Sequence, residues 1–218
     1  MTNQRIHATA LIIGMLAGIV TMSIHPTSFD LHASAEAIAH VNHVNTVTHI
    51  LGLASIPVTL LGVFGISSRI GWNNMHGLSA FIVYCFASVA VMLAAVADGL
   101  IGSSLAQEAI NVDDSKRQML MMALHYNFQL NQALAKVYIA GSSCAFILWS
   151  IALIRLGKTT RKLGIGGGIV GLCPLIALLS GHVQMDAHGF GLIILAQASW
   201  IILVAISLLR ECVTPLPA

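Results

Sequence analysis

Histidine is the residue type in this chain with the most chemistry to offer. Eight of the ten, His25, His32, His40, His43, His49, His125, His182 and His188, fall in or beside segments that the distribution of charge assigns to one side of a membrane. Imidazole is the commonest protein ligand for transition metals and changes charge near neutral pH, so such a set points to metal, haem or proton chemistry at that face. Sidedness alone is weak, because the segments on that side are longer and an even scatter would favour them. Position adds more: His25, His49, His182 and His188 border apolar stretches at one level, where a bundle can bring them together. His49, His182 and His188 lead the expected cluster.

Three groups of residues can feed such a site. If a helix starts at Ser34, His32, Glu36, His40 and His43 share one face at spacings of four, four and three, while His49 lies about half a turn away with Asn42 and Asn45 on its own stripe. His40 and His43 therefore cannot share an ion with His49 unless that helix breaks. His182 and His188 flank a short turn with Asp186 between them, and a glycine stands beside each imidazole, which allows a sharp reversal or a close ligand approach. His125, Gln129, Gln132 and Lys136 form a polar line that must face protein, water or headgroups. Asp98 adds a carboxylate at the same level, with Lys136 or a histidine as its expected partner.

The leading chemistry is a transition-metal site. Neutral imidazole suits copper, iron and zinc, and Asp98 or Asp186 can supply an oxygen ligand. Zinc with an open position would activate water, and copper or iron would favour redox chemistry. Haem b held by two histidines, His49, His182 or His188, is the variant; no CxxCH motif is present, so it would be non-covalent. The expected function is thus metal- or haem-dependent redox or hydrolytic chemistry at the outer membrane interface. A proton-coupled carrier of small solutes and an accessory subunit without catalysis are the alternatives.

The elements that must position these groups are membrane helices. With 57% hydrophobic and only 8% charged residues, and a mean hydropathy of +0.87, the chain is too apolar for a soluble domain. A net charge of +2 with no basic run excludes nucleic acid as a partner. Six stretches lack Asp, Glu, Lys and Arg at close to the length a bilayer requires: 8–24, 47–66, 77–97, 137–154, 163–180 and 189–209. They predict an all-α polytopic bundle of six spans. Arg5, Arg69, Arg155, Lys158, Arg161, Lys162 and Arg210 fall on one side, against Lys116, Arg117 and Lys136 on the other. This puts both termini in the cytoplasm and the histidine-rich face outside the plasma (inner) membrane.

The chain reads as one domain, 1–218, with two longer extracytoplasmic segments, 25–46 and 98–136. Its partners are the lipid bilayer and, through those segments, another membrane protein or a second copy of the chain. Arg5, the first apolar run and Ala33-Ser34-Ala35 form only a loose secretory-signal pattern, and the first span is expected to be retained. Gly14 and Gly18, Gly164 and Gly168, and Gly167 and Gly171 stand four apart, as in closely packed membrane helices. The four cysteines form no CxxC pair and read as small buried hydrophobes.

Overall fold

The computed structural model describes residues 2–26, 34–181 and 187–211. Every regular element among them is helical. The order is α1 (Thr2–Ile24), α2 (Ala35–Ile70), α3 (Met75–Ala95), a π-helical turn (Val96–Gly102), α4 (Ser103–Glu108), a 3-10 turn (Ala109–Asn111), α5 (Asp114–Leu156), α6 (Lys158–Leu179) and α7 (Ala187–Glu211). Six helical stretches are long and apolar enough to cross a membrane, with α3, the π turn and α4 acting as one, Met75–Glu108. The chain is a multi-pass membrane protein. Its outward-facing apolar side chains, such as Ile13, Phe86, Leu93, Leu192 and Leu203, have only lipid to bury them.

The helix starts are written locally. Ser34 accepts the Ala37 N–H at 3.2 Å, Asn74 accepts from His76 and Gly77, and Asp113 accepts from Lys116 at 3.0 Å. Each satisfies an orphan donor of a first turn. Glu36 and Asp114 stand in first turns, and Arg69 and Arg155 in last turns, where the helix dipole favours each charge. Gly71, at φ 101°, ends α2 in a conformation that a side chain would resist. Pro57 and Pro174 lie within α2 and α6, and both helices continue through them.

Both of the longer segments between spans are largely helical where they are described. Residues 35–46 are the opening turns of α2, and the segment from Asp114 to Lys136 is the first half of α5. At 43 residues, α5 is about 65 Å long, roughly twice the ~30 Å hydrocarbon core. The extra length stands above the membrane and gives that end of the bundle a helical rim.

The helices pair as α1 with α2 and α7, and α3 with α5, while α5 also packs along α6. At the end where α1 begins and α7 ends, the interior is filled by Leu11, Val63, Ile66, Phe146, Trp149, Trp200 and Ile201. Gly14, Gly164, Gly167 and Gly171 are packing positions, since a Cβ at each would run into Thr59, Ile154, Trp200 or the Ser143 carbonyl. Gly18 and Gly168 are the exceptions: a Cβ at Gly18 meets nothing within 4 Å, and one at Gly168 only Ser150 Cβ at 3.9 Å. Cys85, Cys144 and Cys173 are free thiols.

One buried polar chain pins this core. Trp149 Nε1–H donates to Ser67 Oγ at 2.8 Å, and Ser67 donates to the Gly77 carbonyl at 2.9 Å, joining α5, α2 and α3. Ser67→Ala leaves the fully buried indole N–H unpaired. The substitution is expected to cost about 1–3 kcal/mol, read as a lower unfolding midpoint.

Candidate metal centre

At the opposite end of the bundle the helices spread around a polar cluster. It is built from three elements. The π turn comes first. Its backbone carbonyls at Ala97, Asp98 and Gly99 accept side-chain donors from other helices: Asn127 Nδ2 at 2.7 Å, Asn45 Nδ2 at 3.2 Å and Thr46 Oγ1 at 3.0 Å. Asn45 also donates to Ser103 Oγ at 3.1 Å. A wider helical turn leaves carbonyls misaligned with their usual partners, and such turns often mark functional sites. Here α2 and α5 supply the missing donors and so fix the direction in which Asp98 projects.

Gly99 allows the close approach. A Cβ on it would overlap the Cβ and ring of His49, so glycine at this position is what lets the π turn lie against α2. His49 is buried, and its Nδ1 lies 2.8 Å from the Asn45 carbonyl one turn back. His25 follows the last residue of α1, and its Nδ1 lies 2.8 Å from the Pro26 carbonyl.

These two backbone contacts set both tautomers. A carbonyl only accepts, so Nδ1 carries the proton in each ring, and the Nε2 of the neutral imidazole is a bare lone pair. Both Nε2 atoms face the same carboxylate oxygen, Asp98 Oδ2, at 3.5 Å from His25 and 3.3 Å from His49. The two rings meet edge to face with centroids 5.0 Å apart. Three electron-rich atoms therefore converge on one point. That arrangement is repulsive unless protons or a cation lie between them.

A metal ion fits this spacing. Bonds of about 2.0–2.1 Å at tetrahedral angles put neighbouring ligand atoms about 3.3–3.4 Å apart. One ligand atom from each of His25, His49 and Asp98 lies within 4.8 Å of the others, and among the described residues no other group of three His, Cys, Asp or Glu meets that condition. Two imidazoles and one carboxylate are a common donor set for catalytic zinc and non-haem iron. The Nδ1–H to carbonyl contacts are the outer-shell bonds that orient such ligands.

Without an ion, the proton takes that place. Burial works against charge on His25, but the hydrogen bond to Asp98, the Pro26 carbonyl and the Asp98 charge outweigh it, and the pKa is raised above the usual imidazole range.

The cluster lies in the wall of a cavity of about 640 Å³ that runs between α1, α2, α3, α5 and α7, from Asn42 and Ala106 past the triad to Gly14, Thr59 and Tyr84. Deeper polar groups are mostly spent internally. Thr21, Ser55 and Ser88 donate to carbonyls of their own helices.

The residues singled out in the sequence separate as follows. His49 and Asp98 meet, and the partners of Asp98 are His49 and His25, whereas Lys136 is exposed. His40 and His43 lie on the exposed face of an unbroken α2. Helical geometry makes this unavoidable once Asn42, Asn45 and His49 turn inward. His125 and Gln132 line the cavity, while Gln129 is exposed. His188 is exposed in the first turn of α7. His32, His182 and Asp186 lie outside the described residues.

His25 is absent from the expected ligand set, although its position at the end of the first span placed it at the right level. The π turn was unforeseen. Its only trace in the sequence is Asn45, Thr46 and Asn127, polar side chains with no evident local role.

No protein-family model, curated protein or solved structure matches this chain.

Proposed function

We propose that the protein is a membrane-embedded metal-dependent enzyme whose ion is held by His25 Nε2, His49 Nε2 and Asp98, with an open position facing the cavity. One observation carries this reading: two imidazoles, each with Nδ1 committed to a backbone carbonyl, aim their remaining lone pairs at a single carboxylate oxygen. The ligand set contains nitrogen and oxygen but no sulfur, which favours zinc or ferrous iron over copper(I). An ion there would act as a Lewis acid on an oxygen of the substrate. His25 and His49 do not form a haem b pair, because rings packed edge to face at 5.0 Å leave no room for a macrocycle between them. The basic-residue bias supports an extracytoplasmic position for the centre.

The carrier reading is weaker. The aromatic and aliphatic core around Trp149 and Trp200 fills the other end of the bundle, where a carrier needs a polar path to the second side.

The test is elemental analysis and calorimetric titration of zinc and ferrous iron into detergent-purified, metal-stripped protein. One ion per chain, lost in His25→Ala and His49→Ala, supports the reading; native protein that takes up no ion overturns it. The same titration on His182→Ala and Asp186→Asn tests whether the segment between α6 and α7 adds a ligand.

Acidification should release the ion. Binding needs both imidazoles neutral, and His25 holds its proton to a higher pH than an ordinary histidine, so apparent affinity should begin to fall above pH ~6.5 and continue falling below it. Stability of the metal-free protein should follow the opposite sign. A raised pKa contributes stability that is complete below the unfolded-state value and is lost as pH rises through the folded-state value. Unfolding midpoints of stripped and loaded protein between pH 5.5 and 8.5 should therefore diverge as pH rises.

A further inference from the structure

The cavity beneath the triad has the dimensions and lining of a lipid-chain site. The lining passes the triad outward to Asn42, and from His49 to Thr59, both among its lining residues, α2 advances ten residues, or about 15 Å. That is half of the ~30 Å hydrocarbon core, the span of one chain in one leaflet. Its volume of about 640 Å³ falls within the range of roughly 300–1,000 Å³ that holds one ligand molecule. Met15, Met22, Ile56, Val91, Phe128 and Ile194 supply apolar wall, and the Ser88 hydroxyl is spent on the Tyr84 carbonyl of its own helix.

His125, Asn131 and Gln132 from α5 are among the polar lining residues. Asn42, 5% exposed, donates from Nδ2 to Gln107 at 3.3 Å, yet its Oδ1 is buried with no partner. A buried carboxamide oxygen without a donor is costly, and this one belongs to a residue of the cavity wall. A second orphan acceptor in the wall, Gln197 Oε1, lies deeper, on α7, where the Gln197 Nε2 donates to Ser142 Oγ at 3.1 Å.

We infer that the metal centre acts on a single-chain lipid, or one chain of a larger lipid, whose tail occupies the cavity and whose head presents an oxygen to the ion and a hydrogen-bond donor to Asn42. This rests on the metal reading above and names its substrate class. The wall at Gly18 supplies the control, because a side chain there enters open space and shortens the cavity without touching the triad.

The probes are two hydroxamic acids with the same chelating head, one with a sixteen-carbon chain and one with a two-carbon chain. Each is titrated into Co²⁺-loaded full-length protein in non-ionic detergent, and the cobalt absorption band reports binding. The long-chain probe is expected to bind at least about tenfold more tightly, since only its chain can fill the apolar cavity. Gly18→Phe, and independently Ala95→Phe on the facing wall, should load Co²⁺ as the native protein does and lose that preference. Full Co²⁺ loading with equal affinity for both probes overturns the lipid inference, as does a chain-length preference that survives both cavity fillings. Failure to take up Co²⁺ at all overturns the metal reading itself.

Discussion

Asp98→Asn should weaken metal binding by more than about 100-fold, beyond the ~10–100-fold that follows loss of an outer-shell partner. The substitution keeps the shape of the side chain and removes its charge. Asp98 is the only carboxylate in the triad, and both imidazole lone pairs meet at its Oδ2, so the ion loses a ligand and the only negative charge among its three ligands. The fold should survive. An asparagine can donate from Nδ2 to the Nε2 lone pair of a neutral imidazole, which puts a neutral hydrogen bond where a proton is shared in the metal-free native protein. Loss of affinity with an unfolding midpoint of the stripped protein unchanged at pH ~8.5, where the proton-dependent stabilisation through His25 is weakest, is the expected result, measured by calorimetry and thermal denaturation side by side. His40→Ala, His43→Ala and His188→Ala remove exposed imidazoles and should leave affinity within about threefold of native, a surface effect of ordinary size. If Asp98→Asn binds as native does, or if any of the three surface variants abolishes binding, the triad is not the site.

Gly99→Ala should destabilise the protein by about 1–3 kcal/mol and weaken metal binding at least about tenfold, although alanine is the better helix former by ~1 kcal/mol. The opposition of sign makes the result diagnostic. Propensity alone predicts a gain, and only the collision between the new methyl and His49 Cβ predicts a loss. Because the obstacle is the root of the side chain and not a flexible tip, relief requires α2 and the π turn to separate. Separation lengthens the His49 to Asp98 distance and strains the Asn45 and Thr46 bonds to the turn. Gly18→Ala provides the reference, since its methyl enters open space and should stabilise by about 0.5–1 kcal/mol. Chemical unfolding of both variants, followed by metal titration, checks the pair. Equal stabilisation in both would mean that the π turn does not press on α2.

The six spans and their all-helical architecture were legible in the sequence because they depend on a local property. A bilayer demands about twenty apolar residues whatever the neighbours are, and caps such as Ser34, Asn74 and Asp113 act within one turn of themselves. Periodicity also put Asn42, Asn45 and His49 on one stripe of α2 and His40 and His43 on another. It could not say which stripe turns inward. Both carry polar residues, and an isolated helix is indifferent to its own rotation.

By itself, then, the sequence determined the class of the protein, its six spans and the level at which its titratable side chains gather. The membership of the site was decided by tertiary structure alone. His25, His49 and Asp98 come from α1, α2 and the π turn, and their meeting depends on contacts between residues more than twenty positions apart: a glycine that admits His49 and three side-chain donors that hold the turn open. Ligand geometry is a matter of tenths of an ångström between distant segments. Local sequence constrains the height and face of each group, and only packing closes the last few ångströms between them.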